Sequence, residues 1–201
     1  LLKEKLKHRF IQKKFPKQER INQEIKNSIL SLAIAKIVVI MVIIAKMHFG
    51  LTLIYDQISD YGWVYYILSY FIALIIHDTY FYWAHRLMHN PWLFKRIHLV
   101  HHKSTNPSPW AAYAFHPFEA IAESLIFTIF LLTIPVHSIH LMAFFVFSLV
   151  YNVYGHLGFE IYPEGFNKHW LGRWVNTTVS HNLHHQFFRG NYGLYFTIWD
   201  R

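Results

Sequence analysis

Sixteen of the 201 residues are histidine, and nine of them fall at spacings that suit metal binding. His85 and His89 stand four apart. His98, His101 and His102 follow as H-x2-H-H, and His181, His184 and His185 repeat that spacing near the C-terminus. His156 follows Asn152 by four, adding one more candidate pair. On a helix, residues three and four apart share a face, so each cluster presents its rings together. Neutral imidazole is the commonest side-chain metal ligand and suits iron, zinc and copper. A lone H-x3-H pair arises by chance and in structural zinc sites. Two copies of H-x2-H-H beside an H-x3-H form a stronger signal. One zinc takes about four ligands, so eight or nine histidines suit two metals. The competing account, core histidines each with its own hydrogen-bond partner, must be invoked many times in register. The chain has no cysteine, which excludes disulfides, thiolate metal sites and cysteine nucleophiles.

The elements that must position these rings are apolar helices. Hydrophobic residues make up 54% of the chain and charged residues 15%, against about 25% charged in an ordinary soluble domain. Aromatics reach 19%, as suits a chain that meets membrane interfaces repeatedly. Apolar runs cover 29–47, 63–83, 118–134 and 136–154, each near the length of about 20 residues that crosses a bilayer. Runs three and four are separated by little more than Pro135, which predicts a tight antiparallel hairpin. Residues 1–28 carry nine Lys or Arg against Glu4, Glu19 and Glu24. They read either as a cytoplasmic arm, partly helical and lying on anionic lipid, or as a disordered tail. Residues 29–201 then form one membrane domain. No cleavable signal peptide is visible. The chain opens on Leu1 and stops at Arg201 without a closing element, as a fragment of a longer protein would.

Charge sorting sets the expected topology. After Lys46 come Arg86, Lys95, Arg96, Lys103, Lys168, Arg173, Arg189 and Arg201. All follow runs two and four, and none lies in the connections after runs one and three. With four spans, these residues and the basic N-terminus share one side, which the positive-inside rule makes the cytoplasm. Topology thus accounts for the formal charge of +8, and no nucleic-acid partner is needed. The expected fold is all-α and integral to the membrane. About four transmembrane helices carry a cytoplasmic helical cap that holds a histidine-rich dimetal site.

The clusters, with Tyr82-Trp83-Ala84-His85-Arg86, Phe115-His116-Pro117-Phe118-Glu119 and Asn191-Tyr192-Gly193-Leu194-Tyr195-Phe196 beside them, resemble the fatty acid hydroxylase superfamily from about Asp78 to Arg201. That superfamily includes sterol desaturases, C4-methyl sterol oxidases and sphingolipid fatty acid hydroxylases; the pattern is also similar to alkylglycerol monooxygenase. The resemblance implies a non-haem di-iron centre held by His85, His89, His98, His101, His102, His156, His181, His184 and His185. In the sphingolipid branch a further histidine stands where this chain has Asn152, and the first cluster is H-x4-H. These departures favour the sterol desaturase-like branch and leave Asn152 either a ligand through water or none.

The implied activity is O2-dependent hydroxylation or desaturation of a lipid C–H bond, since an unactivated C–H offers no acid, electrophile or leaving group and the hard chemistry falls to the cofactor. Electrons would come from outside the chain, through an NAD(P)H-linked protein of cytochrome b5 or ferredoxin type; a pterin would replace it in an ether-lipid monooxygenase. A membrane metal-binding or transport protein is the reading from another class. It would place its ligands near the bilayer midplane, whereas these clusters follow the spans. Asp78, His116, Glu119 and Glu160 are candidates to orient ligand rings through the second ring nitrogen. His77 stands beside Asp78; adjacent residues on a helix do not share a face, and His77 is not expected to be a ligand with His85. His8, His48, His137, His140 and His169 lack cluster partners. Phe118, Phe127, Phe130, Phe144, Phe145 and Phe147 could line a substrate path, and Arg86, Lys95, Arg96 and Lys103 could dock an acidic donor or lipid headgroups.

Overall fold

The computed structural model describes residues 7–201, apart from the side chain of Phe130; Glu4 and its neighbours lie outside the described residues. The apolar runs form helices α1 (Gln18–Phe49), α2 (Gly62–Met88), α4 (Pro117–Thr133) and α5 (Ser138–Gly155). α1, α2 and α5 are long and apolar enough to cross a membrane. α4 has 17 residues, or roughly 25 Å at 1.5 Å per residue, the short end for a span. Between α2 and α4 runs helix α3 (91–102), whose middle, Phe94–His98, is π-helical. The C-terminal part carries one short helix, α6 (Thr178–Phe187).

α1 packs along α4, and α4 along α2. The core they share with α5 includes Ala73, Leu74, Phe81, Ile126, Leu131 and Phe144. The outward faces stay apolar. Met41, Val64 and Ile75 are more than half exposed, and so broad an apolar surface needs a non-aqueous surrounding or a partner. At one end, strand β1 (Ile54–Tyr55) pairs in parallel with β2 (Val136–His137). This joins the α1–α2 connection to the tight α4–α5 turn. The Tyr65 hydroxyl donates to the carbonyl of Pro135 there, and His137 caps α5 by accepting from the amide of Ile139. The histidine clusters gather at the opposite end.

The basic N-terminal segment differs from a free arm. Helix α1 begins at Gln18, eleven residues before the apolar run, because its first turns have a protein surface to cover. Glu24 and Ser28 are buried, and bond Ser108 and the carbonyl of Trp110. Ahead of α1, Phe10 stacks on Phe15 and packs against Phe159. Gln12 donates to Thr105 and to Asn182. Residues 7–28 thus brace the histidine end.

Candidate metal centre

α2 ends at Met88, and His85 and His89 project from its last turn. Asn90 caps α3 by accepting from the amide of Trp92, with Pro91 at the first helical position. The π turn then delivers His98 before the final turn presents His101 and His102; such turns often mark functional sites. Thr177 caps α6, and α6 presents His181, His184 and His185. His156 follows the last turn of α5. The fold collects these nine rings into two groups: His85, His89, His98, His102 and His184, and His101, His156, His181 and His185. Within each group the candidate ligand atoms lie within 4.8 Å of one another.

The two H-x2-H-H boxes divide in opposite senses. His98 and His102 join the first group while His101 turns to the second. His181 and His185 join the second while His184 turns to the first. The i, i+4 pair of each box shares one target, and the ring between them reaches the other. The common face expected from spacing is therefore wide enough to serve two centres.

Each ring is fixed through Nδ1 where a partner exists. His85 donates to the carbonyl of Tyr192 (2.9 Å), His184 to Gly190 (2.7 Å), His156 to Asn152 (2.8 Å) and His185 to Ser104 (3.0 Å). His98 donates to Oε1 of Glu119 at 2.7 Å, with both side chains buried. A carbonyl only accepts, so Nδ1 carries the proton and Nε2 of a neutral ring is a bare lone pair. Yet Nε2 of His156 and Nε2 of His185 lie 3.1 Å apart. In the first group Nε2 of His102 lies 3.0 Å from that of His98 and 3.1 Å from that of His184. Nε2 of His85 is buried without a hydrogen-bond partner.

Protonation does not relieve this crowding. Burial, reinforced by neighbouring rings, holds His98, His101, His102, His181 and His185 well below the usual imidazole range. Burial lowers His184 to about 3, and His89 and His156 to about 4. Converging lone pairs without protons are repulsive unless a cation stands between them. Nitrogens about 2.1 Å from a common ion and at right angles lie about 3 Å apart, so the donor set fits two metal ions.

The proposed orienting side chains fare unequally. Glu119 holds His98. Asp78 touches no imidazole; its Oδ1 accepts from the amides of Tyr195 (2.7 Å) and Phe196 (3.2 Å). Glu160 accepts from the Tyr154 hydroxyl (2.9 Å) and from the amide of Val179 in the first turn of α6 (3.3 Å), where a carboxylate suits the helix dipole. His116 accepts from the amide of Phe118 at the start of α4. Asn152 lies outside both groups. Its Nδ2 donates to the carbonyl of Ala112 at 2.8 Å, and its own carbonyl holds His156. His77 lies among Phe127, Phe144 and Tyr195, away from both groups.

The sequence marked 191–196 as a signature but did not show that the loop 188–196 holds the rings. Phe188, Gly190 and Asn191 all have positive φ, which curls the chain so that the carbonyls of Phe188, Gly190 and Tyr192 face His89, His184 and His85. Asn tolerates that conformation better than most residues. A Cβ at Gly193 would collide with the carbonyl of Phe196, so the position requires glycine. Asp200 accepts from the amides of Tyr192 and Gly193. The Asn191-Tyr192-Gly193 signature was the available signal.

Beside the centre, between the helices, lies an apolar cavity of about 300 Å³. Phe127 and Phe145 line it, with Phe81 and Phe115. Phe118 is exposed and Phe144 buried, while Phe147 packs on Tyr195; the Phe130 side chain lies outside the described residues. None of the nine histidines lines the cavity. Phe81 and Phe115 stand between, their rings 5.3 Å from His85 and 5.1 Å from His101.

Three relatives are similar to this chain in sequence. The chain is 34% identical over 183 residues to the Delta(7)-sterol 5(6)-desaturase ERG3B of Gibberella zeae, covering 91% of this chain and 55% of the relative. It is 31% identical over 201 residues to Delta(7)-sterol 5(6)-desaturase erg3C of Aspergillus fumigatus, covering 90% and 61%. It is 32% identical over 186 residues to lathosterol oxidase of Rattus norvegicus, covering 92% and 60%. The chain thus spans a little over half the length of these relatives. No solved structure matches it. The fatty acid hydroxylase profile covers residues 70–201, a stretch that holds all nine rings, and the chain belongs to the fatty acid hydroxylase family.

Proposed function

We propose that this chain is the membrane domain of a non-haem di-iron, O2-dependent oxidoreductase that desaturates or hydroxylates a sterol-like lipid. The observation that carries this reading is the pair of buried imidazole groups whose Nε2 atoms converge to about 3 Å from one another. Two bound irons would supply O2 activation and cleavage of an unactivated C–H bond, chemistry that no side chain provides. The protein's part is positional. Carbonyls of Tyr192, Gly190, Asn152 and Ser104, with Glu119, keep His85, His184, His156, His185 and His98 in the metal-binding tautomer. The bracing by residues 7–28 limits water at the site, and the apolar cavity offers the lipid a way in from the bilayer. The names of the relatives support a sterol as substrate.

In this reading α1, α2, α4 and α5 all cross the membrane, and the histidine end faces the cytoplasm. Arg86, Lys95, Arg96 and Lys103, exposed there, present a basic surface to an acidic electron donor. Metal content and Mössbauer spectra of iron-57-loaded, detergent-purified protein test the proposal. Close to two coupled irons per chain, oxidised by O2 after reduction, is the expected result, with His184→Ala reducing bound iron and abolishing sterol turnover. One metal or none in the unaltered protein would overturn it.

A further inference from the structure

The cavity between the helices is apolar, and most of its polar groups are already engaged. Ser124 donates to the carbonyl of Ala120, Ser31 bonds the backbone of Phe115, and Asn152 bonds Ala112. Two are not. Glu123 and His77 both line the cavity, and neither makes a hydrogen bond or ion pair among the described residues; Nδ1 of His77 is buried without a partner. They come from different helices, α4 and α2, and face the same cavity. Phe127 follows Glu123 by one turn on the same face of α4, and the His77 ring is 5.5 Å from the Phe127 ring.

A carboxyl and an imidazole left unpaired in an apolar chamber cost free energy unless something bonds them. The complement is an apolar molecule bearing one hydroxyl, whose O–H donates to Glu123 while its oxygen accepts from His77. The remaining polar groups of the wall, the hydroxyls of Tyr113 and Ser148, face Asn152 and Tyr195. Glu123 also stands one turn, about 6 Å, from Glu119 along α4, and Glu119 holds His98. A hydroxyl pinned at Glu123 therefore sets how far along the occupant the carbon facing Phe81 and Phe115 lies.

Resting on the function proposed above, we infer that Glu123, aided by His77, reads the hydroxyl of a lipid alcohol and fixes which carbon of it reaches the metal centre. The test is binding of radiolabelled cholesterol, and of its 3-methyl ether, which lacks the hydroxyl hydrogen, to the purified full chain, with metal content measured on the same samples. The unaltered protein is expected to prefer cholesterol about tenfold. Glu123→Leu is expected to remove that preference with metal content unchanged, and His77→Phe to reduce it about threefold. Equal binding of the two probes, no binding of cholesterol, or a preference that survives both substitutions would overturn the inference. Absence of metal from the unaltered protein would instead count against the function proposed above, so the two failures are distinguishable.

Discussion

At the scale of single residues, the centre is built from rings that must stay neutral. His156, lowered to about 4, and His184, lowered to about 3, have ordinary values near 6.5 when the chain unfolds. As pH falls through 6.5 the unfolded chain takes up protons that the folded chain refuses. Stability therefore rises with pH in the window from about 3 to 6.5 and is lost on acidification. Metal-stripped protein is accordingly expected to melt at progressively lower temperature from pH 7.5 to 6 and 5, in thermal scans in detergent. A melting temperature flat across that range would mean that the rings are not buried as neutral groups. The ring identities were legible because their spacing repeats. Their hydrogen-bond partners mostly were not, because any residue supplies a carbonyl. Glu119 could be singled out as a carboxylate; Ser104, Gly190 and Tyr192 carry no such mark. Asp78 and Glu160 were attractive by residue type, but both satisfy backbone amides.

At the scale of elements, long apolar runs reveal helices, and the four runs are the cores of α1, α2, α4 and α5. What periodicity could not show was the polar start of α1, whose buried Glu24 and Ser28 face the 104–115 segment rather than lipid. Nor could it show the π turn, which sets the phase between His89 and His98. The loop 188–196 is the element on which the first ring group most depends, and Asp78 ties it to α2 through two amides. Hydrogen bonds to a charged group contribute about 1.5–3 kcal/mol each. Asp78→Ala is expected to free the loop, lower the melting temperature and reduce bound metal toward one ion per chain. Asp78→Asn, which retains an acceptor, should lose less. Metal analysis combined with limited proteolysis within 188–196 reads both effects; unchanged metal and protection in the alanine variant would show that the loop is held by other contacts.

At the scale of the whole molecule, the two ends are chemically opposite. One end joins the 50–61 connection to the α4–α5 turn through Ile54↔Val136 and Tyr55↔His137, and neither connection carries Lys or Arg. The other end holds nine rings and the basic residues, apart from Lys36 within α1 and Lys46, which reaches Asp56 at the first end. The four antiparallel crossings proposed above would produce this arrangement directly, since alternate connections would then lie on the same side. In that proposed topology the positive-inside bias would put the basic side in the cytoplasm. The native chain has no cysteine, so single engineered thiols report without background. Asp56 is exposed at the first end and Lys168 at the second. In intact cells Asp56→Cys is expected to react with a membrane-impermeant maleimide, and Lys168→Cys only after permeabilisation. Reaction of Lys168→Cys in intact cells would place the metal end outside. Protection of both until permeabilisation would mean that α1 and α2 do not both cross the bilayer, and the proposed topology would have to be replaced.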